Sequence, residues 1–411
     1  MSMQQKVTVN THYTRSVNLE RDSSSFDVVK SYIPTSRALR TFNRVSTAFH
    51  SGQAPRAWSL IGPYGSGKSS FGVFLSQLLS KGTHEATKAA SAILKNADVD
   101  LAKAFNEEVK ADDGYLKVLI TGAPEPMAKR LVKGMFDAAD VYWKSSKARR
   151  PKIVSKLEAA IDAGELTGSD ILTLIKELQG KLEPTGCKGV LLVIDELGKF
   201  LEFEARHYGA NDIYLLQSLA EHACKGGEVN LFLIVLLHQS FEQYAKGLGE
   251  SLKNEWSKVQ GRFEEVPFLE SSEQVLRIVS AAFDQNLEAQ EKRKLKESTE
   301  VIVDVLLENH ALPGALSKKE ANDLFVSCYP LHPVSAILLP LLCQKVAQNE
   351  RTLFSYLGSH EEFGLQDMLS KLGDISESIK PHHIYDYFVS NQPAVMGDYL
   401  THRRWAEVVT A

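Results

Sequence analysis

The stretch GPYGSGKSS at residues 62–70 sets glycines, a lysine and a serine in the spacing G-x-x-x-x-G-K-[ST]. Without Cβ atoms at the glycines, the backbone through Gly62, Pro63, Tyr64, Gly65, Ser66 and Gly67 can curl until successive N–H groups converge on an anion. A helix starting near Lys68 adds the positive end of its dipole to the same point. In that geometry Lys68 reaches the β- and γ-phosphates of a nucleotide, the Ser69 hydroxyl ligates Mg²⁺, and Ser70 lies beside it on the first turn. Such a loop needs a strand before it and a helix after it. The apolar run AWSLI at 57–61 and the pattern SSFGVFLSQLLSKG after Lys68 satisfy both requirements.

A second set of chemical residues ends the apolar run GVLLVIDE, where Asp195 and Glu196 follow six uncharged residues. A buried strand ending in two carboxylates delivers them to the C-terminal edge of a parallel sheet, where ligands of open α/β sheets bind. There Asp195 completes the shell of a Mg²⁺ ion, and Glu196 orients and partly deprotonates a water for attack on the γ-phosphate. A small-molecule kinase would carry the same lysine loop, but the paired acids favour water as the acceptor. The expected cofactors are therefore ATP and Mg²⁺, and the expected reaction is ATP hydrolysis.

The elements that must position these residues follow from the hydrophobic pattern. Five strand-like runs lie at 57–61, 115–122, 189–195, 230–238 and 263–268, with helical patterns between them. Apolar strands alternating with helices predict an α/β fold, a five-stranded parallel sheet covered on both faces. Thr35 or Ser36 is placed to cap a helix over 35–49. A charged helical stretch, KSSKARRPKIVSKLEAAIDAGELTGSDILTLIKELQGKLEP, belongs to a helical insertion over about 123–186. From about 270 onward no strand pattern is visible and the apolar spacing is helical. The expected division is an arm over 1–27, a core over 28–269, an all-helical unit over 270–375, and the start of a further helical region over 376–411. HRRWAEVVTA stops inside a helical pattern, so the chain reads as the front part of something longer.

Composition removes several classes. The longest apolar runs, GVLLVI and LFLIVLL, are far shorter than the roughly 20 residues that span a bilayer. The N-terminus lacks the apolar core of a secretion signal. The four cysteines are widely separated and form no CxxC pair, so no disulfide framework or zinc site is expected. A net charge of −4 gives no overall attraction to nucleic acid or acidic membranes. Together these predict a cytoplasmic protein with no membrane partner. Locally, Lys144, Lys147, Arg149, Arg150 and Lys152 make a basic run that is a candidate DNA contact, or else a solvated helix face.

The acid pair after an apolar strand, together with a helical unit following the sheet, resembles the AAA+ superfamily of P-loop ATPases, and within it the origin-recognition-like branch. The likeness runs over roughly residues 28–360. It implies that SYIPTSRALRTF at 31–42 is the segment holding adenine, with Tyr32, Ile33 and Pro34 against the base. It implies that the fourth strand ends in a polar residue touching the γ-phosphate or the attacking water; the usual asparagine or threonine is absent, and His238 or Gln239 stands there. Arg262, just before the fifth strand, takes the place of an arginine finger, which in this superfamily acts on a neighbouring subunit's nucleotide. Paired with Glu264 or Glu265 it would be an ordinary surface arginine. In VAQNERTLFSYL, Arg351 takes the place of the lid arginine that reaches back to the phosphates. The combination of YIPTSRAL, GPYGSGKSS, IDELGKFLE, KVQGRFEEVPF, YPLHP and QNERTLFSYL is also similar to the large ATPases of prokaryotic antiphage defence islands, including BREX-type systems. That likeness implies a homo-oligomer or a complex with other defence proteins. The other reading of the same residues is a nucleotide-gated switch or scaffold that turns over slowly.

Overall fold

In the computed structural model the described residues are 3–10, 17–51, 54–109, 114–145, 148–162, 166–207, 212–244, 250–314, 316–346 and 353–391. Seven strands occur among them: β1 (Val7–Val9), β2 (Ala57–Ile61), β3 (Tyr115–Thr121), β4 (Gly189–Asp195), β5 (Asn230–Leu237), β6 (Glu264–Pro267) and β7 (Phe283–Gln285). The five strand-like runs of the sequence are β2 to β6, which form one sheet in the order β3-β4-β5-β2-β6. Every pairing in this sheet is parallel.

The apolar runs are continuous because both faces of the sheet are covered. Leu116, Val118, Val190, Leu192, Leu231 and Leu233 lie in one buried cluster, and Tyr115, Leu191, Val193, Phe232, Ile234 and Leu236 in another. Alternate residues of one strand thus feed opposite cores, as the twofold pleat requires. The first face carries helices Met127–Ser145, Lys152–Asp162, Gly168–Leu182 and Asp212–Lys225. The region expected as an insertion is therefore much of the cover on that face, with Met127, Leu131, Ile153, Leu157, Ile171 and Ile175 in its core. The second face carries Ser36–His50, Lys68–Leu78, Glu85–Ala97 and Val99–Val109. Helix Ser36–His50 is capped by the Thr35 hydroxyl, which accepts the Ala38 N–H at 3.2 Å.

Two compact units divide the chain: Val17–Leu269, and Met1–Ser16 with Glu270–Ala411. The expected arm is thus shared between them. In the second unit β1 pairs antiparallel with β7, Val7 opposite Gln285 and Val9 opposite Phe283. This corrects the expectation of no strand beyond 270. Helix Ser272–Ala281 stops where the helical spacing continued, and β7 follows after Ala282. Three residues are too few to show a period of two, and their pairing partner lies at the other end of the chain. The core of this unit continues past residue 375, since Ile379, Ile384, Tyr387 and Phe388 are buried in it with Leu357 and Leu369. Among the described residues no helix is long and apolar enough to cross a membrane.

The N-terminal strand is held by burial as well as pairing, with Val7 only 1% exposed. Removing its two outer methyls in Val7→Ala is expected to lower unfolding free energy by about 2 kcal/mol. Chemical denaturation measures this, and amide exchange at Phe283 and Gln285 should quicken if β1 is what protects β7.

Candidate functional site

The phosphate-loop sequence leaves the sheet at Ile61, and the structure holds it there from both sides. The Gly62 N–H donates to Leu237 O at 3.0 Å, and the Phe268 N–H donates to Ile61 O at 2.6 Å. A Cβ at position 62 would lie 2.2 Å from Phe268 O, so only glycine fits between the two strands. Gly65 and Gly67 have φ of +74° and +85°, the left-handed region open to glycine. Gly67 is also the N-cap of helix Lys68–Leu78, so the loop ends at a helix N-terminus as the motif demands.

Lys68 is buried and turns back on its own loop, donating to Gly62 O at 2.6 Å, Pro63 O at 2.8 Å and Ser66 Oγ at 3.2 Å. Burial lowers its pKa to about 8, against the opposing pull of Asp195 and Glu196. These carboxylates come from the end of β4, next to β5 in the sheet. Asp195 is buried, which pushes its pKa up, while the nearby Ser69 hydroxyl and the charge of Lys68 work the other way. The sheet edge thus brings Lys68, Ser69, Asp195 and Glu196 together. A serine hydroxyl beside a buried carboxylate fits a hard cation that keeps waters and takes other ligands from phosphate. No group of three or more His, Cys, Asp or Glu that could hold a metal occurs among the described residues.

Glu196 is held in a backbone conformation that is rare for its type, with φ of +49°. Its N–H donates to Asp195 Oδ1 at 2.8 Å, and its carboxylate pairs with Lys199 Nζ at 2.5 Å. Gly122, just past β3, packs under this turn: its N–H donates to Asp195 O at 2.8 Å, and a Cβ there would lie 2.1 Å from Glu196 O.

His238 follows β5, the strand between the one leading into the loop and the one ending in the acids. Its imidazole stacks on the Tyr64 ring of the loop, centroids 4.9 Å apart. The Tyr244 hydroxyl lies 2.9 Å from Nδ1 and 3.2 Å from Nε2. Burial lowers the His238 pKa; among nearby charges Glu202 and Glu196 oppose this and Lys68 adds to it. Gln239 follows His238 in the chain, and its backbone lies close enough to Tyr244 to oppose the rise that burial gives the phenol's pKa. Sequence reasoning did not reach Tyr244, Lys199 or Gly122. Gly198, directly behind the acid pair, is the one trace of Tyr244 in the sequence, because a Cβ there would lie 2.3 Å from the Tyr244 hydroxyl.

The remaining candidates lie elsewhere. Arg262 precedes β6, which runs parallel to β2 with Glu264 opposite Trp58. It therefore sits at the N-terminal edge of the sheet, across from its own phosphate loop. Its partner is Glu221 at 3.1 Å, on helix Asp212–Lys225, and not Glu264 or Glu265, the pairs of the alternative reading. Glu264 accepts from Trp58 Nε1 and pairs with Arg44, and Glu265 accepts from Gln260. Tyr32 stacks on Phe74 of the helix that Lys68 begins, centroids 4.4 Å apart, and Ile33 and Pro34 are half-buried. Arg351 and Lys147 lie outside the described residues. In the basic run Lys144 and Arg150 both pair with Asp140, leaving Arg149 and Lys152 exposed.

The left-handed turn at Glu196 yields a stability test. A glycine adopts this conformation freely, whereas an alanine keeps a penalty of about 1 kcal/mol. Glu196→Gly is therefore expected to be more stable than Glu196→Ala, although glycine normally destabilises. Urea unfolding of the two variants measures the difference.

A scan against protein-family models finds no match, and a search of curated proteins finds none. Among solved structures the chain is similar to the Aeropyrum pernix ORC2 protein, solved as ADPNP and ADP complexes. The identity is 11% over 87% of this chain and 86% of that one, with a TM-score of 0.35. At that distance the fold stands on its own sheet order and register.

Proposed function

We propose that the chain is an ATP-hydrolysing module of AAA+ type, in which the nucleotide state of the sheet edge governs the helical C-terminal unit. One observation carries this reading. Buried Lys68 in a phosphate loop faces the charges of Asp195 and Glu196, while the Ser69 hydroxyl lies close enough to Asp195 to favour its charged form. Lys68 now satisfies its ammonium with the oxygens of Gly62, Pro63 and Ser66; phosphate oxygens of ATP take their place, and the N–H groups of the glycine turn close around them. Ser69 and Asp195 would hold Mg²⁺, which when bound screens the phosphate charge. Glu196, released from Lys199, orients a water and accepts its proton. His238, or the neighbouring Gln239, meets the terminal phosphate or that water from the end of β5.

The position of Arg262 favours action between copies. It lies at the edge opposite its own loop and half-exposed, so it serves as a finger only for a second chain. The likeness to ATPases of antiphage defence islands supports a defence role with partner proteins, and exposed Arg149 and Lys152 make DNA a candidate ligand.

The deciding experiment measures ATP binding and steady-state turnover with Mg²⁺ in three variants. Lys68→Ala is expected to lose binding, and Glu196→Gln to bind ATP but turn over about 100-fold more slowly or worse. Mixing Arg262→Ala with Lys68→Ala is expected to recover turnover that neither shows alone. Wild-type turnover in Glu196→Gln would remove the base assignment, and no recovery at any mixing ratio would remove the action between copies.

A further inference from the structure

Two residues of the strand end, His238 and Gln239, compete for the role at the terminal phosphate, and the structure treats them differently. The imidazole of His238 is held from two directions. The Tyr64 ring of the phosphate loop stacks on it with an interplanar angle of 21°, and the Tyr244 ring meets it nearly edge-on at 83°. The Tyr244 hydroxyl touches both ring nitrogens, so it fixes the orientation of the ring and does not choose between tautomers. This hydroxyl is itself confined, because Tyr244 is buried with its ring against Gly198. The phenol has one proton to give, and the imidazole nitrogens lie within its reach.

The rest of the molecule makes room for this arrangement. Tyr244 is 6% exposed, and its ring occupies the space over Gly198, where a Cβ would stand 2.3 Å from the hydroxyl and 2.5 Å from Cζ. Gly198 begins the helix directly behind Asp195 and Glu196. Tyr244 therefore touches the helix that follows the acids as well as His238, and Tyr64 joins His238 to the loop. Burial keeps the phenol protonated and disfavours a charge on the imidazole, with Glu202, Lys68 and Glu196 the charges facing it. A neutral imidazole keeps one N–H donor, the capacity that an amide supplies.

We infer that His238 is the strand-end residue serving the terminal phosphate, and that Tyr244 is a positioning residue locking its ring against Tyr64 of the phosphate loop. This rests on the ATPase reading above. A donor aimed at charge that develops in the reaction acts through its fixed direction, so loosening the ring slows the chemical step and leaves ground-state binding nearly intact.

The test uses the full chain. Tyr244→Phe keeps the ring and removes the hydroxyl. It is expected to lower kcat about 10-fold or more while KM for ATP stays within about twofold. In a His238→Asn background, where no imidazole remains to be held, adding Tyr244→Phe is expected to cause no further loss. A second readout needs no turnover. The His238 ring protons, identified by their disappearance in His238→Asn, are expected to show a ring-current shift from Tyr64 that Tyr244→Phe reduces. An equal kcat loss from Tyr244→Phe in both backgrounds, or wild-type kcat with an unchanged ring-current shift, would overturn the inference. A wild-type chain without ATP turnover would defeat the ATPase reading instead, and the ring-current comparison would still decide whether Tyr244 holds His238.

Discussion

A buried ammonium must be surrounded by oxygen, and the site is arranged around that need at Lys68. Burial disfavours its charge strongly enough to bring the pKa to about 8, while two loop carbonyls, the Ser66 hydroxyl and the charges of Asp195 and Glu196 hold it in place. Each supplier comes from a different constraint. The carbonyls face inward because the loop is curled through left-handed glycines, and the carboxylates arrive because β4 is apolar up to its last residue. With both faces of the sheet covered by helices, charged groups on these strands are left mainly to the edges. Loop, acids and His238 meet at the C-terminal edge for that reason.

Close approach is the second constraint. Gly62 lies against Phe268 O, Gly122 against Glu196 O, and Gly198 against the Tyr244 hydroxyl, each where a Cβ would fall well inside contact distance. These three glycines bring β6, β3 and the segment after β5 onto the loop and the acid turn. Glu196 departs from this pattern, a non-glycine residue in left-handed backbone. Strain of this kind persists where the surroundings over-determine it, and here the hydrogen bond from the Gly122 N–H to Asp195 O and the Lys199 pair do so. The strain falls on one of the two acids that follow the central apolar run.

Much of this was legible in the chain. The five strands of the sheet were readable because each is a compact apolar run between helical patterns, and Lys68, Ser69, Asp195 and Glu196 because a fixed spacing carries their chemistry. Tyr244 was not, since its importance comes from the space over Gly198 and not from any spacing to His238. The pairing of β1 with β7 was not, since three residues carry too little pattern and the two strands stand 274 positions apart, 283 against 9. The pairing of Arg262 with Glu221 was not legible either, since the near neighbours in sequence, Glu264 and Glu265, are engaged by Trp58, Arg44 and Gln260.

What the sequence determined by itself was therefore local: which segments are strands, where the loop curls, and which residues end the central apolar run. Those properties depend on glycine conformations, apolar periodicity and short-range spacing, all of which reside in contiguous residues. Tertiary structure decided the rest: the strand order that seats β5 between the loop and the acids, the clamp of Tyr64 and Tyr244 on His238, and the placement of Arg262 across the sheet from its own loop. Each depends on which distant segments pack side by side, and packing is settled by the shape and burial of the whole fold.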